Sequence, residues 1–392
     1  MPHGLSRRSV LSGLGGAALL APVLSDAAPA DSSLGAIAAA RGIRFGTAVN
    51  SGVAPLRFAS GTGARERLPN TGLRDPRVVA LLLREARIVV PSNELKMYSI
   101  QPSRPGVFDF RPGDEILAFC REHGLPMRGH TLLWAKDEFL PQWLLGYDFG
   151  PDSKLAAETL LRDYIGAVAG HYGNRLVSWD VVNEAIDEKT GRLRDNAFTR
   201  ILGRDTLRIC FEAAREHLPG TELVYNDYMS WGPKDAVHRR AILDLLRWFR
   251  EERIPVDALG IQGHIGATDD PDGAWSGDWR AFMDAVVALD YRLLLTEFDV
   301  NDKLVVGSIA RRDAVVADVT RRFLDATLAY PELRDMLCWG MDDRYSWLQN
   351  TSPRPDGLRK RPTTYDEAFR PKPMRAAIAA SLAAAPARSG GL

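Results

Sequence analysis

Two glutamates stand at the ends of short apolar runs and could act as a catalytic pair. Glu184 follows Asn183 in the stretch Trp179–Ala185, and Glu297 lies in the stretch Leu295–Asp299. Glycosidases place two carboxyl groups on either side of one bond. One is protonated and donates to the leaving oxygen, while the other is ionised and attacks or activates water. The surroundings of such a pair must push the two pKa values apart.

His264 is a candidate for setting that difference. It follows the apolar run Ala258–Gly263, which precedes the run that carries Glu297. An imidazole beside Glu297 and Asp299 would keep Glu297 ionised and oriented, because a nearby positive charge favours a carboxylate. Taken singly, each glutamate could instead be an ordinary carboxylate at a strand end.

Eight short apolar runs alternate with longer segments of helical spacing. The strands they predict are Ile43–Val49, Ile88–Ser92, Met127–Leu133, Val177–Asn183, Leu223–Asn226, Ala258–Gly263, Leu293–Glu297 and Met336–Trp339. Parallel strands need crossover connections, which helices supply. The alternation predicts an α/β fold, a closed (β/α)8 TIM barrel forming one domain over residues 31–382. An open doubly wound sheet is the alternative, but no glycine-rich phosphate loop follows the first strand.

Polar residues follow each predicted strand. In a barrel, the carboxyl ends of the strands form the active face. The residues expected there are Asn50, Asn93 with Lys96, His130 with Trp134, Asn183 with Glu184, Asn226 with Asp227, Gln262 with His264, Glu297 with Asp299, and Trp339 with Asp342 and Asp343. One such ending means little, but repetition around a ring is hard to explain as solvated surface.

The overall composition excludes some partners. The 392 residues include 50 basic and 50 acidic side chains, and 45% are apolar. A neutral chain has no electrostatic reason to bind nucleic acid or an anionic membrane. Three cysteines, Cys120, Cys210 and Cys338, lack the close spacing of a metal or redox site. We expect buried free thiols, with one disulfide as the alternative.

The first 30 residues have the features of an export signal. Ser6–Leu11 contains the twin arginines Arg7 and Arg8, an apolar stretch follows from Val10 to Leu24, and Ala28–Ala30 offers small residues for cleavage. The apolar stretch is short for a bilayer span. We expect export by the twin-arginine route to the periplasm or the medium, with no membrane contact after processing. A membrane anchor or a chance basic pair is the alternative.

The sequence resembles glycoside hydrolase family 10, whose members are mainly endo-β-1,4-xylanases, from about Ile43 to Leu382. The resemblance rests on Arg128–Trp134, Trp179–Ala185, Tyr225–Tyr228, Gly260–His264, Thr296–Asp299 and Trp339–Trp347, with Arg361-Pro362 and Pro371–Pro373 near the end. It implies a (β/α)8 barrel that hydrolyses internal β-1,4 bonds of xylan by double displacement, with retention of configuration and without a metal or other cofactor.

The resemblance also implies roles for single residues. Glu184 matches the acid/base, Glu297 the nucleophile, and Asn183 the group that bonds the sugar 2-hydroxyl. The other matches are sugar-binding or supporting groups: Lys96 and His130 near the cut, Asn93 one sugar further out, Gln262 and His264 around the nucleophile with Asp299 as a support, and Trp134, Trp339 and Trp347 as aromatic walls. Taken alone, His130 could be a core histidine and Trp134 a core aromatic. Trp179 is expected in the core, whereas Trp275 and Trp279 could border the cleft.

Several positions depart from the family pattern. Ser92 stands where the family has a glutamate, the histidine and glutamine that follow the tryptophan of the third strand are missing from Ala135–Glu138, and Met229 replaces an asparagine. These changes fall among substrate-binding positions, so the substrate could be xylan, short xylo-oligosaccharides or β-glucosides. Glu94, or a charged residue of Ala135–Glu138, could take over a missing contact.

An inactive barrel that binds carbohydrate or serves as a scaffold is the alternative from another class. Such a protein need not keep both glutamates and His264, and all three are present. We therefore expect a monomeric enzyme whose partner is xylan or a xylo-oligosaccharide. The small, polar tail at residues 383–392 is expected to fray.

The leader generates a prediction about export. Replacing Arg7 and Arg8 by lysine should abolish export, because the twin-arginine pair is the feature that distinguishes this signal. N-terminal sequencing of the wild-type exported protein should place its first residue near Asp31. Normal export of the double-lysine variant, in a host whose general secretion pathway is intact, would contradict the twin-arginine interpretation.

Overall fold

Parallel strands form a nearly closed barrel in this computed structural model, which describes residues 32–53, 71–269, 276–351 and 353–388. The strands are β1 (Arg44–Val49), β2 (Ile88–Pro91), β3 (Arg128–Trp134), β4 (Ser178–Asn183), β5 (Glu222–Asp227), β6 (Ala258–Ile261), β7 (His264–Gly266), β8 (Arg292–Asn301) and β9 (Leu333–Cys338). Around the ring they follow the order β2-β1-β9-β8-β6-β5-β4-β3, and the short β7 pairs with β8. The predicted export signal and Trp275 lie outside the described residues.

The two ends of that strand order meet. Val89 of β2 forms a parallel bridge with Met127, and its N–H donates to the carbonyl of Pro126 at 3.0 Å. This contact brings β2 beside β3 and closes the ring, so the predicted (β/α)8 barrel is confirmed and the open doubly wound sheet is wrong.

Helices connect the strands and cover the barrel. They are α1 (Leu34–Ala39), α2 (Pro76–Glu85), α3 (Met97–Ile100), α4 (Arg111–Glu122), α5 (Gln142–Leu145), α6 (Ser153–Tyr172), α7 (Thr199–Leu202), α8 (Asp205–His217), α9 (Ala236–Glu251), α10 (Ser276–Val287), α11 (Ile309–Thr327) and α12 (Pro373–Ala384). Side-chain caps set some of their starts: the Asp75 carboxylate accepts from the N–H of Arg77 in α2, and the Ser308 hydroxyl from that of Arg311 in α11. None of the helices in the described ranges combines the length and the apolar character that crossing a bilayer requires.

The predicted strand bounds agree with the observed ones to within one residue except in three places, one of which is β9, which begins at Leu333 and not at Met336. The predicted strand Ala258–Gly263 ends at Ile261, and the chain turns at Gly263 (φ 77°) before β7 begins with His264. The predicted strand Leu293–Glu297 continues to Asn301, because β8 gains a second partner in β7. These two features bring His264 alongside Asp299, its register partner.

Trp179 lies in the core, as predicted. Its ring packs against Gly129 of the neighbouring strand, where an added Cβ would come within 2.1 Å of a ring atom. Trp279 is also buried, and its indole N–H donates to the hydroxyl of Thr327 at 2.9 Å, so it does not border the cleft.

The three cysteines are buried and unpaired, which confirms free thiols over a disulfide. Burial raises the pKa of the Cys120 thiol to about 12 and raises those of Cys210 and Cys338 as well. Thiols held in the neutral form in this way are poor nucleophiles and poor metal ligands.

The chain end packs against the barrel as far as Arg388, although residues from 383 onward were expected to fray. Ala385 is buried, and the N–H of Arg388 donates to the carbonyl of Arg41 at 2.9 Å. The Arg388 guanidinium donates to the carbonyls of Leu328 and Leu333 at 2.9 and 3.0 Å. A single arginine in a small, polar tail therefore satisfies carbonyls at the ends of other elements.

Candidate active site

Both candidate glutamates are buried: Glu184 directly follows β4, and Glu297 lies within β8. Glu184 directly follows β4 with φ 57°, a left-handed conformation that costs a residue with a Cβ on the order of 1–3 kcal/mol. Its N–H donates to the carbonyl of Asn226 at 2.9 Å, which fixes this conformation against β5. Glu297 lies within β8, so its backbone is held by strand pairing.

A network of three amide side chains joins the two carboxylates. Gln262 Nε2 donates to Glu184 Oε1 at 2.8 Å and to Asn183 Oδ1 at 3.2 Å. Asn226 Nδ2 donates to the same Asn183 oxygen and to Glu297 Oε1, both at 2.9 Å. Because each amide comes from a different strand, the closure of the barrel sets the relative position of the two glutamates.

Positive groups surround Glu297. His264 Nε2 lies 3.2 Å from Glu297 Oε2, and His130 Nδ1 lies 3.9 Å from Oε1. Burial by itself would raise the pKa of Glu297, but the charges of His130, His264 and Lys96 outweigh it and lower the pKa to about 2. Glu297 is therefore ionised throughout the range in which most enzymes work.

His264 lies between two carboxylates. Its Nδ1 lies 2.9 Å from Asp299 Oδ1, and Trp347 Nε1 donates to the other Asp299 oxygen at 2.7 Å. Burial would lower the pKa of His264, but Asp299 and Glu297 together raise it to about 10. The imidazole is therefore a cation that donates from both nitrogens.

His130 is fixed from below by a buried ion pair. Its Nδ1 lies 2.9 Å from Asp180 Oδ2, while Arg128 donates to Asp180 Oδ1 at 2.6 Å. The ring also packs edge-on against Trp339, with centroids 5.3 Å apart. His130 is thus a polar group of the barrel mouth, not an isolated histidine of the apolar core.

The sequence signature of the family described as glycosyl hydrolase family 10 matches residues 33–381. The chain belongs to this family. It is 31% identical over 301 residues to endo-1,4-β-xylanase B of Paenibacillus barcinonensis, covering 72% of this chain and 85% of the relative. It is 29% identical to endo-1,4-β-xylanase 1 of Humicola insolens, covering 93% of this chain and 78% of the relative. Xylanase 10B of Thermotoga petrophila, solved in complex with xylobiose, superposes with a TM-score of 0.75 at 26% identity and covers 89% of this chain and 97% of its own.

The remaining predicted residues line one side of this family 10 site. Lys96 Nζ donates to Asn93 Oδ1 at 3.2 Å and lies 4.4 Å from the centre of the Trp134 ring, whose other neighbour, Phe139, stacks at 3.4 Å. Trp339 and Trp347 border an adjoining cavity of about 180 Å³, and Trp347 is 39% exposed. Asn93, Trp339 and Trp347 thus line one cavity, and Lys96 lies between the Trp134 and Trp339 rings.

The departures from the family pattern lie on two different sides of the glutamates. Ser92 lines the cavity beside Trp339. Asp137, by contrast, accepts from the N–H of Ala197 at 2.8 Å and from Arg200 at 2.7 Å, and it borders a separate groove beside Glu184. The loss of the glutamate at position 92 and the loss of the glutamine at position 137 therefore affect different parts of the cleft.

Glu94 does not replace the missing carboxylate at position 92. It is buried, and its oxygens accept from the N–H of Ser51 at 2.7 Å and from that of Asn93 at 3.0 Å. Burial raises the pKa of Glu94 despite these bonds. The side chain holds the loop after β1 and does not face the cleft.

Lys136 is the charged residue of the altered loop that reaches the site. Its Nζ forms an ion pair with Glu184 Oε2 and lies 5.0 Å from the centre of the Tyr228 ring. The sequence predicted that a charged residue of Ala135–Glu138 could take over a missing contact with the substrate, whereas Lys136 contacts Glu184. Asn226 was recognised as a strand-end residue, but its bond to Glu297 was not foreseen, because pairing across the ring depends on strand register.

The arrangement can perform proton and carboxylate chemistry. Glu297 is a buried, ionised carboxylate, and Glu184 is a second carboxyl group joined to it through amides. One group can attack an electrophilic carbon while the other exchanges a proton with an oxygen.

The charge environment of Glu297 predicts the acid side of the pH profile. A carboxylate whose pKa is depressed to about 2 loses its charge only as the pH falls towards that value. His264→Gln keeps a hydrogen-bond donor but removes the positive charge, so the pKa of Glu297 should rise. We expect the acid limb of kcat/KM to move to higher pH by about one unit, measured on a soluble substrate.

His123→Gln is the matched control, since His123 is exposed on the outer side of the barrel. It should leave the acid limb where it is. An unchanged limb in His264→Gln, with the protein still folded by circular dichroism, would show that the imidazole charge does not keep Glu297 ionised.

Proposed function

We propose that this protein is a retaining endo-1,4-β-xylanase. The observation that carries the proposal is the pair Glu184 and Glu297, buried at the mouth of a family 10 barrel and joined through shared amide partners, with Glu297 held ionised by positive groups. Relatives named endo-1,4-β-xylanases support xylan as the substrate.

In the first step, Glu297 attacks the anomeric carbon of the sugar on its side of the cut. The glycosidic bond breaks as Glu184 gives its proton to the leaving oxygen, and a covalent glycosyl–enzyme forms. Asn183, between the two carboxylates, is placed to bond the 2-hydroxyl of the attacked sugar, a contact that strengthens in the transition state.

In the second step, Glu184 is ionised and takes a proton from water. The water oxygen bonds to the anomeric carbon, and the bond to Glu297 breaks, which restores both carboxyl groups. Two inversions at one carbon leave the configuration unchanged. No metal or cofactor takes part in either step.

The walls of the cleft suit a chain of sugars. Sugar rings present C–H faces, which pack on aromatic rings, and hydroxyls, which bond polar side chains. Trp339 and Trp347 supply the aromatic faces, and Asn93 and Lys96 supply polar groups beside them. The faces of the Trp134 ring are covered by Phe139 and Lys96. The leader further supports export, so we propose that the enzyme acts on extracellular or periplasmic polymer.

A second candidate is a preference for short xylo-oligosaccharides over the polymer. Ser92 presents a hydroxyl where the family pattern has a carboxylate. Glu94 cannot replace it, because its carboxylate accepts hydrogen bonds from the N–H and the hydroxyl of Ser51. A hydrogen bond to a charged group contributes about 1.5–3 kcal/mol, more than a neutral one. Its loss should reduce the gain in kcat/KM that each added outer sugar brings.

Substitution of the two glutamates separates their roles. Glu297→Ala should lower kcat by about 10⁵–10⁶ on every substrate, because no nucleophile remains. Glu184→Ala should lower kcat/KM on xylan by about 10²–10⁴. It should change kcat/KM little on an aryl xyloside with a good leaving group, which departs without a proton.

Glu122→Ala on the outer face of α4 is the control and should match wild type on both substrates. Equal losses in Glu184→Ala on xylan and on the aryl xyloside would show that Glu184 is not the proton donor.

The stereochemical course is the direct test of double displacement. Proton NMR of a fresh digest of xylohexaose should show the β-anomer of the new reducing end before mutarotation begins. Products of internal cleavage, such as xylotriose, should appear ahead of xylose. An α-anomer formed first would mean inversion, with water and not Glu297 as the attacking group.

A further inference from the structure

Lys136 contacts the proposed acid/base from the side opposite the amide network. It lies two residues after β3, in the loop that departs from the family pattern, and its side chain is 19% exposed. Its ammonium group pairs with Glu184 Oε2, whereas Gln262 and Asn183 bond Oε1 at 2.8 and 3.3 Å. The two oxygens of Glu184 therefore have different partners, and Oε2 faces the altered loop.

This division of partners decides which oxygen can donate. Oε1 already accepts two N–H groups, so the proton for a leaving oxygen has to be carried by Oε2. An ammonium group has three donors and no acceptor. It bonds Oε2 strongly when Glu184 is ionised, whereas the hydroxyl oxygen of a protonated carboxyl group is a weaker acceptor. The contact therefore weakens when Glu184 carries the proton, which frees Lys136 to leave Oε2 to the leaving oxygen.

We propose that Lys136 is a positioning residue that acts through Glu184. It orients the carboxylate for the water-activating step and withdraws from it for the proton-donating step. The inference rests on the proposed function, because it assumes that Glu184 exchanges the proton of the leaving oxygen. It adds a residue to the proposed reaction that lies outside the predicted site.

The groove beside Glu184 gives Lys136 a place to withdraw to. Glu138, Asp187 and Glu188 line it together with Tyr228. Burial would raise the pKa of Glu188, but hydrogen bonds from Tyr228 and Arg194 lower it to about 2, so this acceptor stays charged. The Tyr228 ring already lies 5.0 Å from Nζ, within the range of a cation–π contact.

The groups that face Glu184 from the neighbouring strands are neutral or acidic, so Lys136 is the basic side chain that contacts it. From β6 and β4 it meets the neutral amides of Gln262 and Asn183. From β5 it faces Tyr225 and Asp227, and burial raises the pKa of Asp227, with the charge of Glu184 adding to the effect. The described cations Lys96, His130 and His264 act on Glu297 instead.

The two substrate classes should respond differently to the loss of Lys136. An unactivated xylo-oligosaccharide needs the proton of Glu184, so its kcat/KM falls at the pH where the free enzyme loses that proton. Removing an ammonium group in contact with a carboxylate favours the protonated form. An aryl xylobioside with a good leaving group needs no proton, so the first step should be insensitive to the change.

The experiment measures kcat/KM against pH for the full mature chain and three variants. The substrates are xylotetraose and an aryl β-xylobioside with a good leaving group. In Lys136→Met, the alkaline limb for xylotetraose should move to higher pH by about one unit, while the profile for the aryl substrate stays in place. Lys136→Arg should restore the wild-type limb, because it restores the charge.

Lys189→Met is the charge-matched control, since Lys189 is exposed on a nearby loop. It should behave as wild type. A limb that stays in place in Lys136→Met, or moves equally in Lys189→Met, would overturn the role of Lys136 while leaving the proposed function intact. A wild-type enzyme that hydrolyses neither substrate would overturn both. Equal loss of activity on both substrates in Lys136→Met, with Lys136→Arg not rescuing it, would mean that the side chain only supports the loop.

Discussion

The buried negative charge of Glu297 is the constraint on which the rest of the site depends. Removing a lone carboxylate from water costs several kcal/mol, and a protein can hold it only with well-placed partners. The imidazoles of His264 and His130 lie 3.2 and 3.9 Å from the Glu297 oxygens. Each imidazole is in turn held by a carboxylate at 2.9 Å, that of Asp299 or Asp180.

This alternation of charges explains the shape of the barrel mouth. The members come from β3, β4, β7 and β8, so no single segment contains the site. The chain turns at Gly263, so β7 forms as a strand separate from β6. Its pairing with β8 places His264 beside Asp299. The carboxylates are therefore held by the closure of the fold more than by any local motif.

The sequence predicted the barrel and most of the residues proposed for the site, because both follow from the pattern of apolar strands. Strands of a parallel barrel are buried on both faces, so they read as continuous apolar runs whose polar ends are visible. What it could not predict depends on contacts between distant segments. The bond from Asn226 to Glu297 follows from register, Glu94 turns inward to Ser51, and Arg388 anchors a tail whose composition suggested fraying.

The sequence also could not predict which groups the long side chains of loop residues contact. Lys136 lies two residues after Trp134 in the sequence. Its Nζ reaches Glu184 from a loop in which Ala135 is buried and the N–H of Ala197 donates to Asp137. Composition and spacing carry no signal for such a contact.

The joint between β2 and β3 has a consequence for the mechanics of the cleft. Elsewhere in the described barrel, neighbouring strands share ladders of several register pairs, whereas here Val89 and Met127 make an isolated bridge. Breathing of the ring therefore costs least at this seam. Lys96 follows one side of it and Trp134 ends the other, so such motion would widen or narrow the grip on the sugar chain. β4, which Glu184 follows, and β8, which contains Glu297, each pair with neighbours on both sides, so the glutamates would keep their spacing while the grip adjusts.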